Sequence, residues 1–168
     1  MILGLSLQTF TFLHVAISVL ALVSGAFVVM GLLNSDPRPG WTAIFLITTI
    51  LTSVTGFLFP IQALTPALVT GLISTPVLLM ALFALYIRRL EGGWRWVYVV
   101  TAIAALYLNV VALIAQAFLK VSTLQALAPT GSEPPFLGAQ IVALLVFILL
   151  GARAVRRFRP HLERVALT

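Results

Sequence analysis

From Trp96 to Lys120 the chain reads WVYVVTAIAALYLNVVALIAQAFLK, with no charge until its last residue. The run is longer than the ~20 apolar residues that cross the ~30 Å hydrocarbon core of a bilayer as a helix. In hydrocarbon a helix also satisfies its own backbone, which an isolated extended segment does not. At about 100° per residue, Tyr98, Ala102, Ala105, Asn109, Gln116 and Lys120 share one face, and Val100, Ile103, Val110, Ile114 and Phe118 share the other. The first face is small and polar and is expected to look into a bundle; the second is expected to meet lipid. An amide left unpaired in hydrocarbon is costly, so Asn109 and Gln116 need partners from other helices or from a bound molecule.

Apolar runs of the same kind fill most of the remaining chain. It is 61% hydrophobic and only 8% charged, with a mean hydropathy of +1.16, whereas soluble domains are roughly a quarter charged. The expected fold is an all-α membrane protein, a single five-transmembrane-helix bundle over 1–168, with spans at about 10–33, 41–59, 66–87, 96–119 and 136–152. The net charge of +6 does not point to nucleic acid, because the basic residues flank apolar runs and gather near the C-terminus instead of forming a stripe. With no cysteine, disulfides, thiolate metal sites and cysteine nucleophiles are excluded.

The opening MILGLSLQ has no basic segment, and the apolar run behind it outlasts a signal-peptide core, so it reads as an uncleaved first span. Within it His14, Ser18, Ala21 and Gly25 share a face, and Ala21 with Gly25 forms a small-xxx-small pair that permits close helix approach. NSDPRPG, from Asn34 to Gly40, is turn chemistry. The second span is rich in hydroxyls, with Thr48, Thr52 and Thr55 on one stripe, and most of these are expected to bond carbonyls one turn back. Pro60 ends that helix, and Thr65 and Pro66 have the types of an N-cap and a first helical residue. In the third span Pro76 deprives the Leu72 carbonyl of its donor, so a kink is expected, repaired by Ser74 or Thr75. Arg88, Arg89, Glu91 and Arg95 with Trp94 and Trp96 form an interfacial belt. VSTLQALAPTGSEPPF is the longest connection, and its Pro-Pro pair restarts a helix that ends in a run of arginines.

Placing the N-terminus outside puts Arg38, then Arg88, Arg89 and Arg95, then Arg153, Arg156, Arg157, Arg159 and Arg164 on the cytoplasmic side. That is nine of the ten basic residues, with Lys120 alone outside. The expected location is therefore a bacterial inner membrane, with the C-terminus cytoplasmic. In this orientation polar side chains concentrate toward the outer half. His14, Thr52, Asn109, Gln116 and Gln140 are the candidate ligand-binding residues, lining a cavity for a quinone, a lipid or a haem-like molecule. The alternative is that these groups only tie helices together, in a non-catalytic accessory or oligomer-forming subunit of a membrane complex.

The four acids, Asp36, Glu91, Glu133 and Glu163, all lie outside the spans, which argues against a pump relying on a buried carboxylate. His14 and His161 fall on opposite sides, so one subunit offers them no shared metal site; His14 has no acid on its side except Glu133 in a loop, which argues against a Ser-His-Asp arrangement, and no catalytic residue is assigned. Haem would be held by His14, but Met30 and Met80 lie toward the inner side, so a second axial ligand would have to come from another subunit. Haem and quinone are thus compatible cofactors that nothing in the sequence requires. The bilayer, a second copy or a membrane-complex subunit are the expected partners.

The stretches HVAISVLALVSGAFVV, WTAIFLITTILTSVTGFLFP and YLNVVALIAQAFLKVSTLQALAPTGSEPPF resemble those of uncharacterised small integral membrane proteins of proteobacteria, a family of unknown function. That group often carries a histidine after the first loop, where this chain has NSDPRPGW, so the resemblance implies a membrane bundle, brings no function with it and weakens any inherited haem or redox role.

Overall fold

The computed structural model describes residues 2–59 and 66–160, leaving aside the side chains of residues 66 and 67. The helices are α1 (Leu7–Asn34), α2 (Pro39–Phe57), α3 (Pro66–Leu82, continued by a π-helical turn over Phe83–Ile87), α4 (Trp94–Lys120), α5 (Ser122–Leu127) and α6 (Pro134–Arg157). All but α5 are long and apolar enough to cross a membrane, which makes five such helices, with α3 counted through its π turn. The expected roles of Pro60, Thr65, His161, Glu163 and Arg164 fall outside the described residues.

Local chemistry sets the ends. Ser6 caps α1 by accepting the Thr9 N–H at 3.1 Å, and α1 closes on Ser35 in the left-handed region, with the Asp36 N–H returning to the Gly31 carbonyl at 2.9 Å. Pro39 then opens α2 from the position where a missing N–H costs nothing. Pro76 sits inside α3 without ending it. The Thr75 hydroxyl donates to Gly71 O at 3.0 Å, so it serves the carbonyl before Leu72 and not the one that Pro76 frees. A π turn follows, where the Arg88 N–H reaches Phe83 O at 2.9 Å.

α1 packs on α2, α2 on α3, α3 on α4 and α4 on α1, closing a ring of four helices, while α6 lies outside it against α4 and α1. The ring is filled near its arginine-bearing end by one apolar cluster that includes Val28, Leu32, Phe45, Leu46, Leu78, Val99, Ala102 and Leu106. Ala21 and Gly25 are buried, and Gly25 lets α1 approach Leu106 and Phe45 closely.

The inward face of α4 is the one carrying Tyr98, Ala102 and Ala105, all buried. Its opposite face departs from the expectation of lipid contact. Val100 is exposed, but Ile103 and Phe118 are buried, because α6 covers that side: Gly151 faces Ile103, and Phe118 meets Phe136 edge-on with ring centroids 5.4 Å apart. Helical periodicity ranks faces by polarity, and a helix with neighbours on two sides buries apolar residues on both.

α6 is the least covered of the five: Ala154 is its one buried residue, while Phe147, Leu150 and Val155 pack partly buried against the apolar cluster. Tyr107 and Phe147 meet midway along its seam with α4, ring centroids 5.6 Å apart, and its arginine end is tied down by hydrogen bonds. Arg95 Nη1 donates to Val155 O at 3.1 Å and to Phe158 O, the Phe158 side chain is fully buried, and the Arg159 N–H donates to Ser35 Oγ at 2.8 Å. The long connection before it contains α5, a helix too short to show in the apolar pattern.

Candidate functional site at the Lys120 end

Beyond the apolar cluster, toward Lys120, the interior becomes polar. At the border Asn109 Nδ2 on α4 donates to Thr49 Oγ1 on α2 at 3.2 Å, and Thr49 is 0% exposed. One turn farther, Ser18 Oγ on α1 lies 3.4 Å from Thr52 Oγ1, and beyond it His14 Nδ1 lies 2.7 Å from Thr55 Oγ1. α3 adds Thr70 and Ser74, both buried. Regular helix spacing produces this column: Thr48, Thr52 and Thr55 recur on one stripe of α2, opposite the His14 and Ser18 stripe of α1.

Counting protons assigns roles. The Thr55 hydroxyl spends its one hydrogen on Leu51 O at 2.6 Å, so His14 Nδ1 must donate to Thr55 Oγ1. A neutral His14 therefore keeps Nε2 as an acceptor. Likewise Ser18 donates to the His14 carbonyl at 2.7 Å, leaving Thr52 as the donor of the longer contact. The other hydroxyls behave as helix-tolerated groups: Thr48, Ser53, Ser24 and Thr101 all bond carbonyls one turn back.

Phe59 presses edge-on against the His14 ring, with centroids 5.2 Å apart, and Phe59 in turn contacts Phe10. Lys120, at the end of α4, stands close enough to His14 for their charges to interact. Among the described residues the sole ion pair is Arg38 with Asp36, so Lys120 has no carboxylate. Glu133 does not supply one. Desolvation acts upward on its carboxyl, but hydrogen bonds from the Thr130 N–H and hydroxyl and the Ser132 N–H outweigh this and hold it down to about 2, turned into its own loop. Gln116, seven residues beyond Asn109 on the same face of α4, is half-buried, and its side chain makes no hydrogen bond among the described residues.

The candidate residues thus divide. His14 and Thr52 share the α1–α2 seam, Asn109 sits at its floor, and Gln116 is placed above Asn109 on the same helix face. Gln140 is elsewhere, in the α4–α6 seam, where its Nε2 donates to Val111 O at 3.4 Å and its Oε1 is buried without a partner. Thr49, Thr55 and Lys120 belong with the first group although the sequence reading did not select them. Thr55 carried a signal, being one turn from Thr52; Thr49 did not, since its partner is 60 residues away. Two surface concavities, one at the α1–α2 turn and one between α4 and α6, are lined by none of the five candidates. Among the described residues no group of three or more His, Cys, Asp or Glu is placed to hold a metal.

The chain matches no protein-family model, no curated protein and no solved structure. A functional reading therefore rests on these side chains. Asn109→Leu tests the floor: it strands a fully buried hydroxyl and is expected to cost about 0.6–2 kcal/mol, read as a lower melting temperature in detergent. An unchanged melting temperature would mean that the Asn109 to Thr49 bond does not hold α4 to α2.

Proposed function

We propose that this is a multi-pass protein of a bacterial inner membrane, with the N-terminus outside and the C-terminus cytoplasmic, that binds an amphipathic molecule of the quinone or lipid class at the outer end of its bundle. The orientation is supported by the basic residues. Arg38, Arg88, Arg89, Arg95, Arg153, Arg156, Arg157 and Arg159 all belong to one end, and Lys120 to the other. A reporter fused after Thr168 should read as cytoplasmic and one inserted between Thr130 and Ser132 as external; both in one compartment would overturn the orientation.

The binding reading is carried by one observation: beyond the apolar cluster α1, α2, α3 and α4 all present polar side chains toward the Lys120 end, where Lys120 has no carboxylate among the described residues, the Gln116 amide has no partner there and a neutral His14 keeps an acceptor. Donors and an acceptor at one end of the bundle, with Phe59 against the His14 ring, suit a ring that presents carbonyl or hydroxyl oxygens, as a quinone and quinol do, or the ester oxygens of a lipid. Haem fits less well, since His14 is the lone histidine among the described residues and offers one axial position.

The test uses the absence of native cysteine. Gln116→Cys should react with a membrane-impermeant thiol reagent added outside and be protected by a short-chain quinone. Ala105→Cys, deeper on the same face and fully buried, should stay inert. No labelling at position 116 would sink the cavity and favour the second reading, an accessory subunit whose partner covers α6. That reading draws on the bare apolar face of α6, with Ile141, Leu145 and Leu149 all exposed.

A further inference from the structure

We infer that the groove between α4 and α6 is a binding site for one acyl chain of an anionic phospholipid, with the headgroup held by Arg156. The groove has a volume of about 480 Å³ and runs between Val100, Ala104 and Tyr107 on α4 and Leu144, Ile148 and Arg156 on α6. Its walls are almost wholly apolar, and Tyr107 and Arg156 are the lining residues that carry a polar group. Small side chains keep it open. Gly151 and Ala152 face it, and a Cβ on Gly151 would meet only Ile103 at 3.8 Å.

Length and charge select the occupant. From Leu144 to Arg156 a helix rises roughly 18 Å at ~1.5 Å per residue, against the ~15 Å of one leaflet in a ~30 Å hydrocarbon core. The groove therefore spans one acyl chain and ends where the headgroups begin. Arg156 is exposed and has no carboxylate partner among the described residues. The neighbouring guanidinium of Arg95 is committed to the carbonyls of Val155 and Phe158, which leaves Arg156 as the lining cation for a phosphate. A second copy of the chain fits poorly, because two copies in one membrane share an orientation and would bring Arg153, Arg156 and Arg157 of both to the same level.

The purified full chain is mixed in detergent with phosphatidylglycerol or phosphatidylcholine of matched chains, and retained lipid is counted by native mass spectrometry. The wild type should retain phosphatidylglycerol in preference. Arg156→Gln should cut that retention about fivefold, the effect of one basic residue near a lipid surface, and leave phosphatidylcholine unchanged. Arg153→Gln, outside the groove, should change neither, and Ala104→Phe, which fills the groove, should lower both. Because Arg156 is exposed, its variant should melt as the wild type does. Equal retention of the two lipids by the wild type, equal effects of the two arginine variants, or dimers that displace lipid would each overturn the assignment.

Discussion

Phe158→Ala will lower stability by about 3–5 kcal/mol, the usual cost of emptying a fully buried aromatic site, and will loosen the arginine end of α6. The size of the effect follows from how little else secures this helix. Within the helix only Ala154 is buried, and between helices in lipid there is no hydrophobic gain to make up the difference. Phe158 joins the apolar cluster beyond the end of the helix, beside Tyr98 at a centroid distance of 6.2 Å. Its own carbonyl takes the Arg95 guanidinium, so removing the ring also disturbs that clamp. The measurement is a melting curve in detergent together with proteolysis at the arginines of α6, which should become faster. A loss below about 1 kcal/mol, far short of what such a buried ring is worth, would show that the α4 seam alone holds α6.

Gly31→Ala is expected to cost about 1–3 kcal/mol, in the range of overpacking, toward the upper end because the obstacle is backbone. A Cβ at this position would lie 2.5 Å from the Asp36 carbonyl oxygen and 3.1 Å from Arg38 Cδ. Asp36 cannot easily yield, since its N–H bonds Gly31 O at 2.9 Å and Pro37 follows it. The α1–α2 turn would have to open, and with it the register that sets His14 against Thr55. Gly138→Ala in α6 is the control: nothing lies within 4 Å of its Cβ, so it should be neutral or stabilising by up to about 1 kcal/mol through helix propensity. Equal melting temperatures for the two variants would show that the tight turn is not a constraint.

How much of this was legible in the sequence differs from residue to residue. The His14, Ser18, Ala21, Gly25 face of α1 and the threonine stripe of α2 were readable, because both repeat at helical spacing and each stands within one segment. Gly31 was not, although the turn after it was plain from NSDPRPG: its need for hydrogen in place of a methyl group arises from the return of Asp36 over the helix end. The π turn at Phe83–Ile87 carried no signal, because one extra residue per turn leaves composition unchanged.

By itself the sequence determined the number of long apolar helices and the segregation of arginines to one end. Hydropathy and charge act within single segments against a solvent whose thickness is known. Only the tertiary structure decided which polar groups meet. Asn109 finds Thr49 and His14 finds Thr55, whereas Gln140 is drawn into another seam. Such a pairing depends on the rotation and depth of one helix against another. Those are set by close contacts such as Gly25 with Leu106 and by the clamp of Arg95 on the end of α6, which no single segment encodes.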